Sequence, residues 1–199
     1  MAEAFFQATA WTMDTPKPYG AFHLVLTVLG VSLSIFLARK FSFPERKAGP
    51  DTILFLCGLF LGLTELYKQG FIYYIENGRT YDWWYFPFQL CSVPMYLGLF
   101  IPMVPARIRN VFYLFIQDFG LLGGIMALAE PSGLMHPYWT MTVHGFLWHF
   151  NLIFMGLICA FYNLKTETPK SYLHTIPLFL FCTAIATAVK HIRIAVRMG

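Results

Sequence analysis

The chain has 199 residues, 57% of them hydrophobic and 12% charged, with a formal net charge of +4 at pH 7. Soluble domains carry roughly twice that share of charge, so an ordinary soluble domain is excluded. No basic run is long enough to argue for nucleic acid. Several apolar runs reach about 20 residues, the length of a membrane crossing. The composition therefore specifies an all-α, multi-pass transmembrane helical bundle.

In chain order, residues 1–20 form an amphiphilic lead-in without the basic start of a cleaved signal. Residues 21–189 form a single bundle, and 190–199 a short basic tail. Span one is expected from Ala21 to Phe41 and span two from Asp51 to Ile75. Span three runs from Trp83 to Val104, span four from Ile108 to Leu128, span five from Tyr138 to Leu164 and span six from Tyr172 to Val189. In span three, Pro94 cannot donate to the carbonyl of Leu90, so a kink is expected beside Cys91. The four cysteines, Cys57, Cys91, Cys159 and Cys182, each fall in a different apolar run. None forms a CxxC pair, which argues against a zinc site or a disulfide framework.

Basic residues flank the spans unequally. Arg39, Lys40, Arg46 and Lys47 follow span one, Arg107 and Arg109 follow span three, and Lys165 and Lys170 follow span five. Loop 2–3 has Arg79 alone and loop 4–5 has none. By the positive-inside rule the N-terminus lies outside a cell membrane. The tail disagrees, because span six would then end outside with Lys190, Arg193 and Arg197.

Depth along each helix, at about 1.5 Å per residue, brings polar groups to one level. Cys91 lies about 10–12 Å below the outer surface, and Asp118, His149 and Glu65 about 15–16 Å below it. His144 and Lys68 lie higher. Ionisable groups inside a membrane face the bundle interior or a wet cavity, so this layer is a candidate site. Gly145, His149, Gly156 and Ala160 share one face of span five, which turns His149 toward protein. His144 stands about 140° round the helix, with Trp148 and Asn151. Gly120, Gly123, Gly124 and Ala127 form a second close-packing surface beside Gln117 and Asp118.

The residue types suit acyl transfer. An imidazole takes a thiol proton, the thiolate attacks a carbonyl, and the acyl group rests on sulfur. A carboxylate on the second ring nitrogen would fix the tautomer. Cys91, His149 and Asp118 supply those three groups, with Gln89 and Ser92 placed to contact substrate. His144, Glu65, Lys68 and Gln117 would support them. A substrate reached within the membrane is a lipid. Each residue also has a structural role open to it. A buried cysteine serves as a small hydrophobe, Glu65 and Lys68 neutralise each other across one turn, and Asp118 pairs with Gln117.

Phe22-His23-Leu24, Glu65–Lys68, Pro87-Phe88-Gln89-Leu90-Cys91, the Gly-rich end of span four and His144-Gly145 through His149 together resemble the bacterial YwaF-like integral membrane family. The resemblance covers about residues 20–185. That family is distantly similar to eukaryotic transmembrane acyltransferases of ether phospholipids, in which a cysteine and a histidine are essential. It implies those roles for Cys91 and His149. Many YwaF-like members carry a histidine where this chain has Gln89, and a seventh span that is not seen here.

A transporter or a lipid- or small-molecule-binding protein could use the same polar pocket. A haem or metal centre fits less well, because His144 and His149 diverge too far round the helix to hold one ion. No cofactor or metal is expected.

Overall fold

A computed structural model describes residues 2–42, 50–163, 168 and 170–198, without the side chains of Trp84 and of residues 190–198. Arg46, Lys47, Leu164 and Lys165, and the side chains of Lys190, Arg193 and Arg197, lie outside the described residues.

The chain is helical almost throughout. Helix α1 (Ala2–Ala8) leads in. Helix α2 (Ala21–Ser42) follows, then α3 (Asp51–Phe71), which a π turn extends to Glu76. The third apolar segment contains α4 (Val93–Phe100). The fourth consists of α5 (Ala106–Phe115), a π turn at Ile116–Gly120 and α6 (Leu121–Ala129). Helix α7 (Trp139–Asn163) and α8 (Ile176–Met198) complete the chain.

Ala21–Ser42, Ala106–Ala129, Trp139–Asn163 and Ser171–Val189 are long and apolar enough to cross a membrane. Helix α3 has 21 residues, but Glu65 and Lys68 lower its hydropathy. The third segment differs from expectation. Trp83–Tyr85 is a single 3-10 turn, Gln89 is extended at φ −78° and ψ 163°, and the apolar helix runs only over Leu90–Met103. Pro94 therefore sits in the first turn of α4 rather than inside a helix. No α-helical donor is lost there, and the irregularity beside Cys91 takes the form of the 3-10 turn Leu90–Ser92 ahead of the α-helix. Pro87 contributes to the break, because the residue before a proline is pushed toward extended backbone.

Helix α7 lies at the centre and packs on α2, α3 and α6. The small-residue surfaces of spans four and five meet each other. A Cβ on Gly124 would stand 3.0 Å from the His149 carbonyl oxygen, and one on Gly156 2.9 Å from Leu121 Cβ. Helices α3 and α4 approach as closely. A Cβ on Gly98 would stand 2.6 Å from the Leu54 carbonyl oxygen. The α2–α6 contact includes a polar tie, where buried His23 donates from Nε2 to the Leu128 carbonyl at 3.1 Å.

The lead-in folds onto one end of the bundle. Phe6 stacks on Tyr74 at 5.5 Å, and Tyr67 donates to Thr9 Oγ1 at 2.6 Å. Thr12 and Tyr138 form an isolated antiparallel bridge. Its flanks exchange backbone bonds, Met13 N to the Pro137 carbonyl and Trp139 N to the Trp11 carbonyl, both at 2.9 Å. At the opposite end Arg109 bonds Asp51 Oδ2 at 2.5 Å and the Val104 carbonyl at 2.9 Å, and Tyr113 donates to Asp51.

Gly98→Val forces α3 and α4 apart at a contact between backbones. The expected loss is about 1–3 kcal/mol, read as a lower Tm of the detergent-solubilised protein.

Candidate functional site

Under the lead-in end of the bundle is a cavity of about 420 Å³. Its walls come from α3, from the broken start of the third segment, from the 130–138 loop and from α7. Cys91, Gln89, Ser92, Lys68, His144 and His149 all line it. Residues far apart in sequence thus meet in one chamber, as depth along the helices suggests.

The break places Cys91. Its backbone lies in the 3-10 turn Leu90–Ser92 that opens the third helix. A Cβ on Gly123 of α6 would stand 3.7 Å from Cys91 Cβ, so the turn rests on the glycine face of the fourth segment. Non-helical backbone at this depth must be satisfied by the protein itself, and three side chains do so. Trp148 Nε1 donates to the Cys91 carbonyl at 3.2 Å. Tyr96 donates to the Pro87 carbonyl at 2.9 Å. Gln69 Nε2 donates to the Tyr85 carbonyl at 2.5 Å.

The thiol of Cys91 faces Gln89 Oε1 at 3.9 Å, a long sulfur contact. His149 approaches the Gly145 carbonyl through Nδ1 at 2.7 Å. A carbonyl only accepts, so Nδ1 carries the hydrogen and Nε2 keeps a lone pair in the neutral ring. His144 lies against Trp148, with ring centroids 5.5 Å apart. Both histidines reach the same chamber despite their angular separation, because it wraps round that side of α7.

Glu65 is 4% exposed and binds Lys68 Nζ at 2.8 Å. Gln69 also donates to Glu65 Oε1 at 2.7 Å. The Lys68 ammonium lies 5.9 Å from the centre of the Trp148 ring, within cation–π range. Glu65 is thereby a structural partner of Lys68, and Lys68 is the member of the pair that lines the cavity.

Asp118 and Gln117 are placed elsewhere. They lie in the π turn of the fourth segment. Gln117 Nε2 contacts Asp118 Oδ1 at 3.4 Å, and Asn163 at the far end of α7 donates to Gln117 Oε1 at 2.9 Å. The equal depth expected for Asp118 and His149 fails for a geometric reason. Gly124, not Asp118, is level with His149, and Asp118 is about 9 Å further along at 1.5 Å per residue. The glycine contacts set the register, not the positions of the helix ends. The Gly145 carbonyl, rather than a carboxylate, orients His149.

Sequence reasoning missed Trp148, Gln69 and His136. His136 lines the cavity, although its place in a short loop suggests only a surface. Thr142 Oγ1 bonds both the amide and the carbonyl of His136 at 3.1 Å, which fixes the loop there. The signal for Trp148 is an indole deep in a span, far from the interfacial belt, whose N–H requires a partner. Among the described residues no group of three or more His, Cys, Asp or Glu could hold a metal ion.

Helices of membrane-crossing length, packed round a polar chamber at one end, define a multi-pass helical membrane protein. A family model matches residues 18–193, and the chain belongs to the TMEM164 family, a eukaryotic transmembrane family related to ether-lipid acyltransferases. No curated protein and no solved structure matches the chain.

Trp148→Phe removes the donor to the Cys91 carbonyl. A buried acceptor left unsatisfied costs about 1–3 kcal/mol. The variant should show a lower Tm and faster alkylation of Cys91 by N-ethylmaleimide than the unaltered protein.

Proposed function

We propose that the chain is a phospholipid acyltransferase that carries the acyl group as a thioester on Cys91, with His149 as general base. The observation that supports this most is that both side chains line one cavity at membrane depth, with the His149 ring held through Nδ1 so that Nε2 is the basic atom. Membership of a family related to ether-lipid acyltransferases supports the substrate class.

The chemistry proceeds in two half-reactions. His149 Nε2 takes the Cys91 proton as the sulfur attacks an ester carbonyl carbon of the donor lipid. The ester C–O bond breaks, and the alkoxide leaves as a lysolipid with the proton from His149. A lysophospholipid hydroxyl then attacks the thioester, its proton passes to His149, and the thiol is regenerated. Amides of the first helical turn have no carbonyl in a preceding turn. Those of Leu90 and Cys91 are the donors for the developing oxyanion. Gln89 and Ser92 border the reacting carbonyl. In this reading the chain crosses the cell membrane six times, with its N-terminus and the cavity on the outer side.

With labelled donor phospholipid and lysophospholipid acceptor in vesicles, the purified protein transfers label. Cys91→Ala reduces transfer to background. His149→Ala reduces it by about 10²–10⁴-fold, the usual worth of a general base. Unchanged transfer in both folded variants overturns the proposal.

Lys68 supports a second reading, in which the cavity binds an anionic ligand without chemistry. Its ammonium lines the cavity between Glu65 and the Trp148 ring. Saturable binding of an anionic lipid that Lys68→Met abolishes, with no transfer by the unaltered protein, would favour it.

A further inference from the structure

A second hollow, about 330 Å³, lies between the third segment and α8. Phe88, Leu90 and Val93 form one wall, and Phe179, Cys182 and Ala186 the other. Gln89 borders both this hollow and the thiol cavity. The two spaces are neighbours across one side chain, the same one whose Oε1 faces the Cys91 thiol.

The groove has a direction. Its polar end is at Gln89, by the start of the third helix. From there it follows α8 from Thr187 back to Phe179, about 12 Å at 1.5 Å per residue, toward the middle of the bundle. Phe179 stacks on Phe119 at 4.9 Å and supports the deep end. Thr183 and Thr187 donate their hydroxyls to carbonyls one turn back in α8, both at 2.9 Å. Their hydrogen-bonding capacity is thus met within the helix, and the wall they contribute has little to offer a polar ligand.

We propose that this groove holds the fatty-acyl chain of a membrane phospholipid, with its carbonyl at Cys91 and its methyl end toward Phe179. A lipid presents the same order of chemistry, an ester near the interface and hydrocarbon below it. The groove lies within apolar segments and is divided from the thiol cavity by the Gln89 side chain alone, which must swing aside for an ester to reach Cys91. The assignment rests on the acyl-transfer reading for the role of the carbonyl but not for the seating of the chain. It makes Thr183 and Cys182, toward the Phe179 end, determinants of chain length, because a larger side chain at either would shorten the groove from its deep end.

The test is photolabelling of the full chain in vesicles containing a phospholipid with a diazirine at the end of one acyl chain. Label should concentrate on peptides bearing residues 88–93 and 179–187. Ala186→Trp, near the Gln89 end, should lower it at least tenfold, and Thr183→Trp, nearer Phe179, should shift transfer toward shorter donor chains. Label spread evenly over all helices, label that joins the groove to another protein or a second copy, or labelling of the unaltered protein confined to the α7 side of the cavity each overturns the proposal. The same experiment on Cys91→Ala separates the two ideas. A labelled groove with no thioester ever formed by the unaltered protein removes the enzyme and keeps the groove. A thioester with an unlabelled groove does the reverse.

Discussion

Backbone that leaves a helix at membrane depth has no water to bond with. The third segment does leave it, and the rest of the molecule is arranged to tolerate that. Tyr96, Gln69 and Trp148 come from three different helices, and each supplies a donor to a carbonyl between Tyr85 and Cys91. The same break leaves the space between α3, α7 and the loops unfilled. An unbroken helix from Trp83 onward would run through that side of the cavity and carry Cys91 in mid-helix, its amide bonded to the preceding turn. The irregularity thus makes both the chamber and the exposed first turn beside the thiol.

The charged groups follow from the same constraint. Gln69 bonds both Glu65 and the Tyr85 carbonyl, and Lys68 bonds Glu65 while lying over Trp148. One chain of contacts therefore joins the ion pair to the broken backbone. Buried pairs of this kind contribute modestly to stability when intact and cost several kcal/mol when halved. Their value here is positional: they hold the far wall of the cavity opposite Cys91.

Much of this is legible in the amino-acid order. Helix α7 begins within a residue of its apolar run, because Pro137 bounds it. The glycine faces of the fourth and fifth segments pair as their spacing implies. The convergence of Cys91, His144, His149 and Lys68 follows from counting residues down each helix. Asp118 shows where counting fails. It assumes that helices start level, whereas Gly124 and Gly156 let α6 slide along α7 until backbones touch. Pro94 is the opposite case. A proline reads as a kink only if the helix has already begun, and nothing local in Trp83–Gln89 forbids helix except Pro87. The donors that make the break tolerable lie tens of residues away, so no window of sequence contains the reason.

The bridge between Thr12 and Tyr138 joins stretches more than half the chain apart. A ribosome delivers the first long before the second, and closing so long a loop has an entropic cost that only the finished contacts repay. Helix α1 can dock on Tyr67 and Tyr74 as soon as α3 is made, but Trp11–Met13 must wait until the fifth helix has been inserted. During synthesis this end of the bundle is tied together last, by part of the chain that was made first.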